Sequence, residues 1–153
     1  MHVAGRGRAA APEARMWLST ALILPLVLAT TLIHYEVLRG LSRGLPRLHI
    51  VPRWRLVFVI VGAFFAHVAQ IALYGLAYWG LDHAVGRDRW DLVTSLYFSA
   101  QSFTSLGFGD LSPPPALWPL AGIETLNGLL LIAWSASFTY LAMERYWKER
   151  ERG

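Results

Sequence analysis

Thr104-Ser105-Leu106-Gly107-Phe108-Gly109-Asp110 is a polar, glycine-bearing heptad set between two long apolar segments. Glycine at alternate positions lets a backbone enter φ/ψ regions closed to other residues, so successive carbonyl oxygens can be turned toward one axis. Spacing matters more here than composition. Irregular backbone survives at membrane depth only where protein or a water-filled cavity surrounds it, and the flanking sequence supplies that setting.

Immediately before the heptad, Asp91 to Phe103 is apolar enough to be buried, but its length of about 13 residues makes roughly 20 Å of helix, too short to cross a bilayer. It reads as a re-entrant helix. Asp91 sits near its start, where the dipole and the unpaired backbone donors favour a carboxylate. After the heptad, Ser112-Pro113-Pro114-Pro115 ends any helix and returns the chain to the surface. Trp118 to Met143 then predicts a membrane span, anchored by Arg145, Tyr146, Trp147 and Lys148. On the other side, Trp54 to Leu81 predicts a second span, with Trp54 at one end and Tyr74, Tyr78 and Trp79 toward the other as interfacial aromatics.

Further back, residues 1–16 are basic, rich in Ala, Gly and Arg, and predict a flexible N-terminus. Residues 17–38 make a third span of about 22 residues, roughly 33 Å, with Pro25 introducing a kink. A signal peptide is the rival reading, but His34-Tyr35-Glu36 stands where a small-residue cleavage site would be needed. Residues 39–53 predict an Arg-rich cytoplasmic loop: the stretch Arg39 to Arg55 holds five arginines, two prolines and no acid. Asp82, Arg87, Asp88, Arg89 and Asp91 form a nearly neutral turn on the opposite side, and residues 144–153 a cytoplasmic tail. With both later spans ending inside, the first must run from outside to inside. That leaves Arg6, Arg8 and Arg15 outside, against the positive-inside tendency, a conflict that a start at Met16 or an interfacial first segment would remove.

Composition excludes several classes of function. Of 153 residues, 55% are hydrophobic and 16% charged, a membrane-protein balance. Without cysteine there is no disulfide, thiolate metal site or cysteine nucleophile. The net charge of +4 does not point to nucleic acid, because the arginines flank apolar segments and do not interleave with exposed aromatics. No serine and histidine pair persuasively enough for an intramembrane hydrolase.

Span, short re-entrant helix, glycine heptad and span, with Tyr97-Phe98 seven residues before Ser105, resemble the pore domain of potassium channels over residues 54–143. The family pattern T-V-G-Y-G-D stands here as Ser105-Leu106-Gly107-Phe108-Gly109-Asp110, and Phe for Tyr is familiar in that family. The resemblance implies an all-α integral membrane fold: outer helix, re-entrant pore helix with selectivity filter, inner helix, and here one additional N-terminal transmembrane helix. It implies K+ held by the backbone carbonyls of Ser105, Leu106, Gly107 and Phe108, with the Ser105 hydroxyl completing the innermost site. Thr104, Gly109, Asp110 and Gln101 would support the filter, Asp110 by hydrogen-bonding toward the pore helix. One chain supplies one filter strand, so the implied assembly is a homotetramer conducting K+ passively across a cell membrane, expected to be a bacterial inner membrane. The permeant ion would be its only cofactor, with no enzymatic chemistry, and anionic lipid would meet the arginines of the 39–55 loop.

Two departures bear on selectivity. Serine replaces the family threonine and leucine the β-branched valine, which loosens a rotamer and a stretch of extended backbone. The alternatives are therefore a weakly selective monovalent cation channel or a non-conducting accessory subunit. No arginine ladder at three-residue spacing marks a voltage sensor.

Remaining residues carry paired readings. Gly128, 19 residues after Gly109, is either a gating hinge or a close helix contact, and Asn127 faces a cavity or satisfies a neighbour. Glu124, the only acid inside the last span, is expected to hydrogen-bond Gln70 or Tyr74; the sharper reading has it bracing the filter through Gln101, Thr104 or Ser102, or modulating gating. His67 reads as a packing histidine before a pH sensor, and His34 with Glu36 as interfacial.

Overall fold

A computed structural model describes residues 12–47, 51–84 and 90–151. Four helices follow in order: α1 (Pro12–Gly44), α2 (Pro52–Ala84), α3 (Leu92–Phe103) and α4 (Trp118–Glu151). Short 3-10 turns, Leu45–Arg47 and Pro115–Leu117, follow α1 and precede α4. Three segments are long and apolar enough to cross a membrane, Met16–Arg47, Arg53–Ala84 and Pro115–Arg145, so this is an all-α integral membrane fold. The fourth helix, α3, has 12 residues, too few to span.

Water does not drive these helices together in lipid, so packing and interhelical hydrogen bonds must do it. Leu26, Tyr74, Tyr78, Phe98, Phe103, Leu120 and Leu131 form the common core. Leu24, Leu28, Leu32, Phe64 and Phe65 point outward, as a lipid-facing surface requires. Direction is fixed by polar contacts at two heights. Ser19 of α1 donates to the Ala116 carbonyl just before α4, and His34 meets Ser135 of α4 further along. Thus α1 and α4 run parallel, and α2 runs against both.

Four side chains close a hydrogen-bond ring that docks α1. His67 Nδ1 lies 3.0 Å from Gln70 Oε1, and its Nε2 lies 3.0 Å from Ser135 Oγ. Gln70 Nε2 stands 3.1 Å from His34 Nδ1, and His34 Nε2 stands 3.3 Å from Ser135 Oγ. Each N–H or O–H finds one acceptor if His67 carries its proton on Nδ1 and His34 on Nε2, tautomers that closure of the ring assigns. Beside the ring, Asn127 donates to the Thr30 hydroxyl at 2.8 Å and to the Tyr74 hydroxyl at 3.1 Å, the neighbour-satisfying reading of that residue.

The structure corrects three expectations. His34 is fully buried in this ring, not interfacial; Glu36 alone turns outward, paired with Arg39 at 2.8 Å. Residues 39–44 continue α1 where a loop was expected, because Leu38, Leu41 and Leu45 prolong the apolar stripe, with Leu38 and Leu45 buried, and Pro46 then stops it. Residues 144–151 likewise extend α4 where a tail was expected, helped by a Glu144–Lys148 pair. Arg87, Asp88 and Arg89 of the predicted outer turn, and residues 1–11 of the predicted flexible N-terminus, lie outside the described residues.

Candidate ion-conduction site

The site begins at the entry to α3. Asp91 is extended and accepts the Thr94 N–H at 2.7 Å, an N-cap that fixes where the helix starts. Hydrogen bonding from the Thr94 side chain, then from its N–H, holds the Asp91 carboxyl below the ordinary carboxylate range. Just before it, the Trp90 N–H donates to Asp82 at 3.0 Å, tying the end of α2 to the start of α3.

At the other end the helix closes on Thr104, whose hydroxyl donates to the Ala100 carbonyl at 2.7 Å. The Ser105 N–H reaches the Ser102 carbonyl at 3.1 Å, and the Leu106 N–H reaches the Gln101 carbonyl at 2.9 Å. The backbone then alternates: Ser105, Gly107 and Gly109 take φ of 57°, 50° and 75°, while Leu106 and Phe108 between them stay negative. Ser105 holds a left-handed conformation without being glycine, which sequence spacing alone did not anticipate.

Gln101 gives this alternation its direction. Its side chain is buried and accepts the Phe108 N–H at 3.0 Å through Oε1 while Nε2 donates to Asp110 at 3.0 Å. Tyr97 donates to the other Asp110 oxygen, also at 3.0 Å. The N–H groups of Leu106 and Phe108 therefore both face α3. In a trans peptide the carbonyl opposes the N–H that follows it, so the Ser105 and Gly107 carbonyls point away from α3, toward the open side. The hydrogen bond from Gln101, then that from Tyr97, holds the Asp110 carboxyl below its usual range, while Asp110 pushes the Tyr97 hydroxyl up. An anion is thus fixed at the outer end of the heptad. Side chains on the open face are bare in the single chain, with Leu106 58% and Phe108 64% exposed.

Behind this assembly, α4 approaches closely. A Cβ added at Gly128 would stand 2.1 Å from the Phe103 carbonyl oxygen, so only glycine lets α4 meet the end of α3 there. The helix is continuous through that point. Glu124 bonds none of the partners expected of it. It contacts Tyr78 of α2 at 2.5 Å and Ser99 of α3 at 2.6 Å, hydrogen-bonding neither Gln70 and Tyr74 nor Gln101, Thr104 and Ser102. Those partners lie on the same two helices as the expected ones, between two and eight residues away in sequence, a difference that cannot be resolved without knowing how the helices are rotated. Ser95 and Ser99, four residues apart in α3 and both buried, were the signal of a polar inward stripe.

The ion-channel family matches residues 54–145, and this chain belongs to that family. A segment of 47 residues is 45% identical to "TWiK family of potassium channels protein 18" of Caenorhabditis elegans. The match takes in 30% of this chain and 10% of that much longer protein. No solved structure matches the chain.

Proposed function

We propose that four copies of this chain surround a K+-selective pore and conduct K+ passively across a cell membrane. The observation that carries the reading is the Gln101 brace, which turns the Phe108 N–H inward and the Gly107 carbonyl outward. A dehydrating cation needs a ring of such oxygens, and one chain offers a single strand of them. Symmetric copies would place the carbonyls of Ser105, Leu106, Gly107 and Phe108 around one axis, with the Ser105 hydroxyl at the inner end. They would also cover Leu106 and Phe108. The C-terminal end of α3, aimed near that axis, adds partial negative charge without a fixed ion.

The similarity to a worm potassium-channel protein favours K+ as the permeant ion and lends no support to a bacterial inner membrane in particular. Arg39, Arg43, Arg47, Arg53 and Arg55 cluster around the α1–α2 connection, at the end of the molecule opposite the filter, where they would meet anionic lipid headgroups. Weak selectivity is the second reading, favoured by the strained, unbranched Ser105. Flux from liposomes under K+ and Na+ gradients separates the two, with barium as blocker. K+-preferring, barium-sensitive flux is expected; equal flux of both ions would favour the second reading, and none an accessory subunit.

A further inference from the structure

Glu124 is fully buried within the last span, and among the described residues its hydrogen-bond partners are hydroxyls, not cations. Residues 56–81 of α2 contain no lysine, arginine or acid, α3 contains none, and Glu124 is the only charged residue type from 118 to 143. Its hydrogen-bond partners are the hydroxyls of Tyr78 on α2 and Ser99 on α3, with the Ile71 carbonyl of α2 behind Ser99, and the Tyr74 hydroxyl of α2 also interacts with it.

Counting protons decides how this cluster is bonded. Tyr78 gives its hydroxyl proton to one carboxyl oxygen of Glu124. Ser99 Oγ stands 2.6 Å from the other carboxyl oxygen and 2.8 Å from the Ile71 carbonyl oxygen. Ser99 has one proton, and Ile71 O has none to give. A carboxylate would leave two acceptors competing for that one proton, with one short contact reduced to lone pair against lone pair. A carboxylic acid supplies the missing one: Glu124 O–H donates to Ser99, Ser99 O–H donates to Ile71, and every contact is a hydrogen bond. A neutral acid also avoids an uncompensated charge at membrane depth.

We infer that Glu124 is a positioning residue held as the neutral acid, donating to Ser99 of α3 and accepting from Tyr78 of α2, and so fixing the depth and rotation of the helix that aims the filter. Ser99 lies two residues before Gln101, so a rotation of α3 at Ser99 is carried directly to the filter brace. The role in conduction rests on the channel reading above; the proton on Glu124 does not.

The test joins infrared spectroscopy to flux, both on the full-length protein in liposomes at neutral pH. The difference spectrum between the wild type and Glu124→Gln is expected to show a protonated-carboxyl C=O band lost in the variant. A lost carboxylate band would overturn the proposal. Should Glu124→Gln fail to fold, Tyr78→Phe serves in its place, because removing a donor to the acid's C=O shifts that same band upward, and no shift overturns it. In flux, Glu124→Gln is expected to stay within about twofold of wild type, since its amide donates to Ser99 and accepts from Tyr78. Glu124→Ala and Ser99→Ala are expected to lose K+ over Na+ preference by about fivefold or more, the lower end of what an orphaned buried group imposes. A Gln variant as impaired as Ala overturns the donor role. Absent wild-type flux would reject the channel reading and still leave the infrared band to decide the proton.

Discussion

Gln101 is the residue on which the filter's direction depends, because one amide serves the Phe108 N–H and Asp110 together. Replacing it by leucine strands the Phe108 donor, and the expected outcome for Gln101→Leu is a fall of about fivefold or more in K+ over Na+ flux ratio in liposomes. Asp110 sets a pH limit. Its carboxyl is held low by the Gln101 bond, so the brace is complete above the ordinary carboxylate pKa and is lost only as pH falls through the depressed one. Flux selectivity is therefore expected to survive outside acidification through the usual carboxylate range and to fail below it. In Gln101→Leu the failure should move to higher pH. Ser105 tests the selectivity question, since threonine restores the branched rotamer. Ser105→Thr together with Leu106→Val is expected to raise the K+ preference measured by reversal potentials under mixed ions.

Between elements, close contact and buried polar bonds replace the hydrophobic effect. Gly128 is the clearest case. Alanine there would overlap the Phe103 carbonyl, and overpacking of this kind costs about 1–3 kcal/mol. Thermal unfolding of detergent-purified Gly128→Ala should show a lowered midpoint. The His34–Gln70–His67–Ser135 ring, with the Ser19 and Thr30 bonds, holds α1, an element outside the matched pore segment. Buried hydrogen bonds in membrane bundles contribute about 0.6 kcal/mol on average and up to about 1.7. His34→Ala removes two of them, so hydrogen exchange in α1 should quicken while α3 and the filter exchange as before.

For the whole molecule, the informative surface is the one left bare. Leu106 and Phe108 are exposed on a stretch whose Leu106 and Phe108 N–H groups are bonded from behind by Gln101. Such a surface has no place in water or lipid by itself, and copies of the chain around an axis would bury it. Native mass spectrometry of the purified protein is expected to give four copies; a monomer under conditions that preserve the fold would reject the pore arrangement.

Length and hydropathy alone determined the spans, the short re-entrant helix and the glycine turn, because a bilayer tolerates few backbone solutions and each has a fixed length. The heptad's alternate glycines likewise announced an irregular turn, and Gly107 and Gly109 take φ of 50° and 75° there. What sequence left open was rotation. Which face of each helix turns inward depends on neighbours distant in the chain, so His34 was expected at the interface and lies in a buried ring, and Glu124 was given partners on α2 and α3 that it does not bond. Only the packed bundle, by bringing Tyr78, Ser99 and Glu124 to one point, decided how the filter is held.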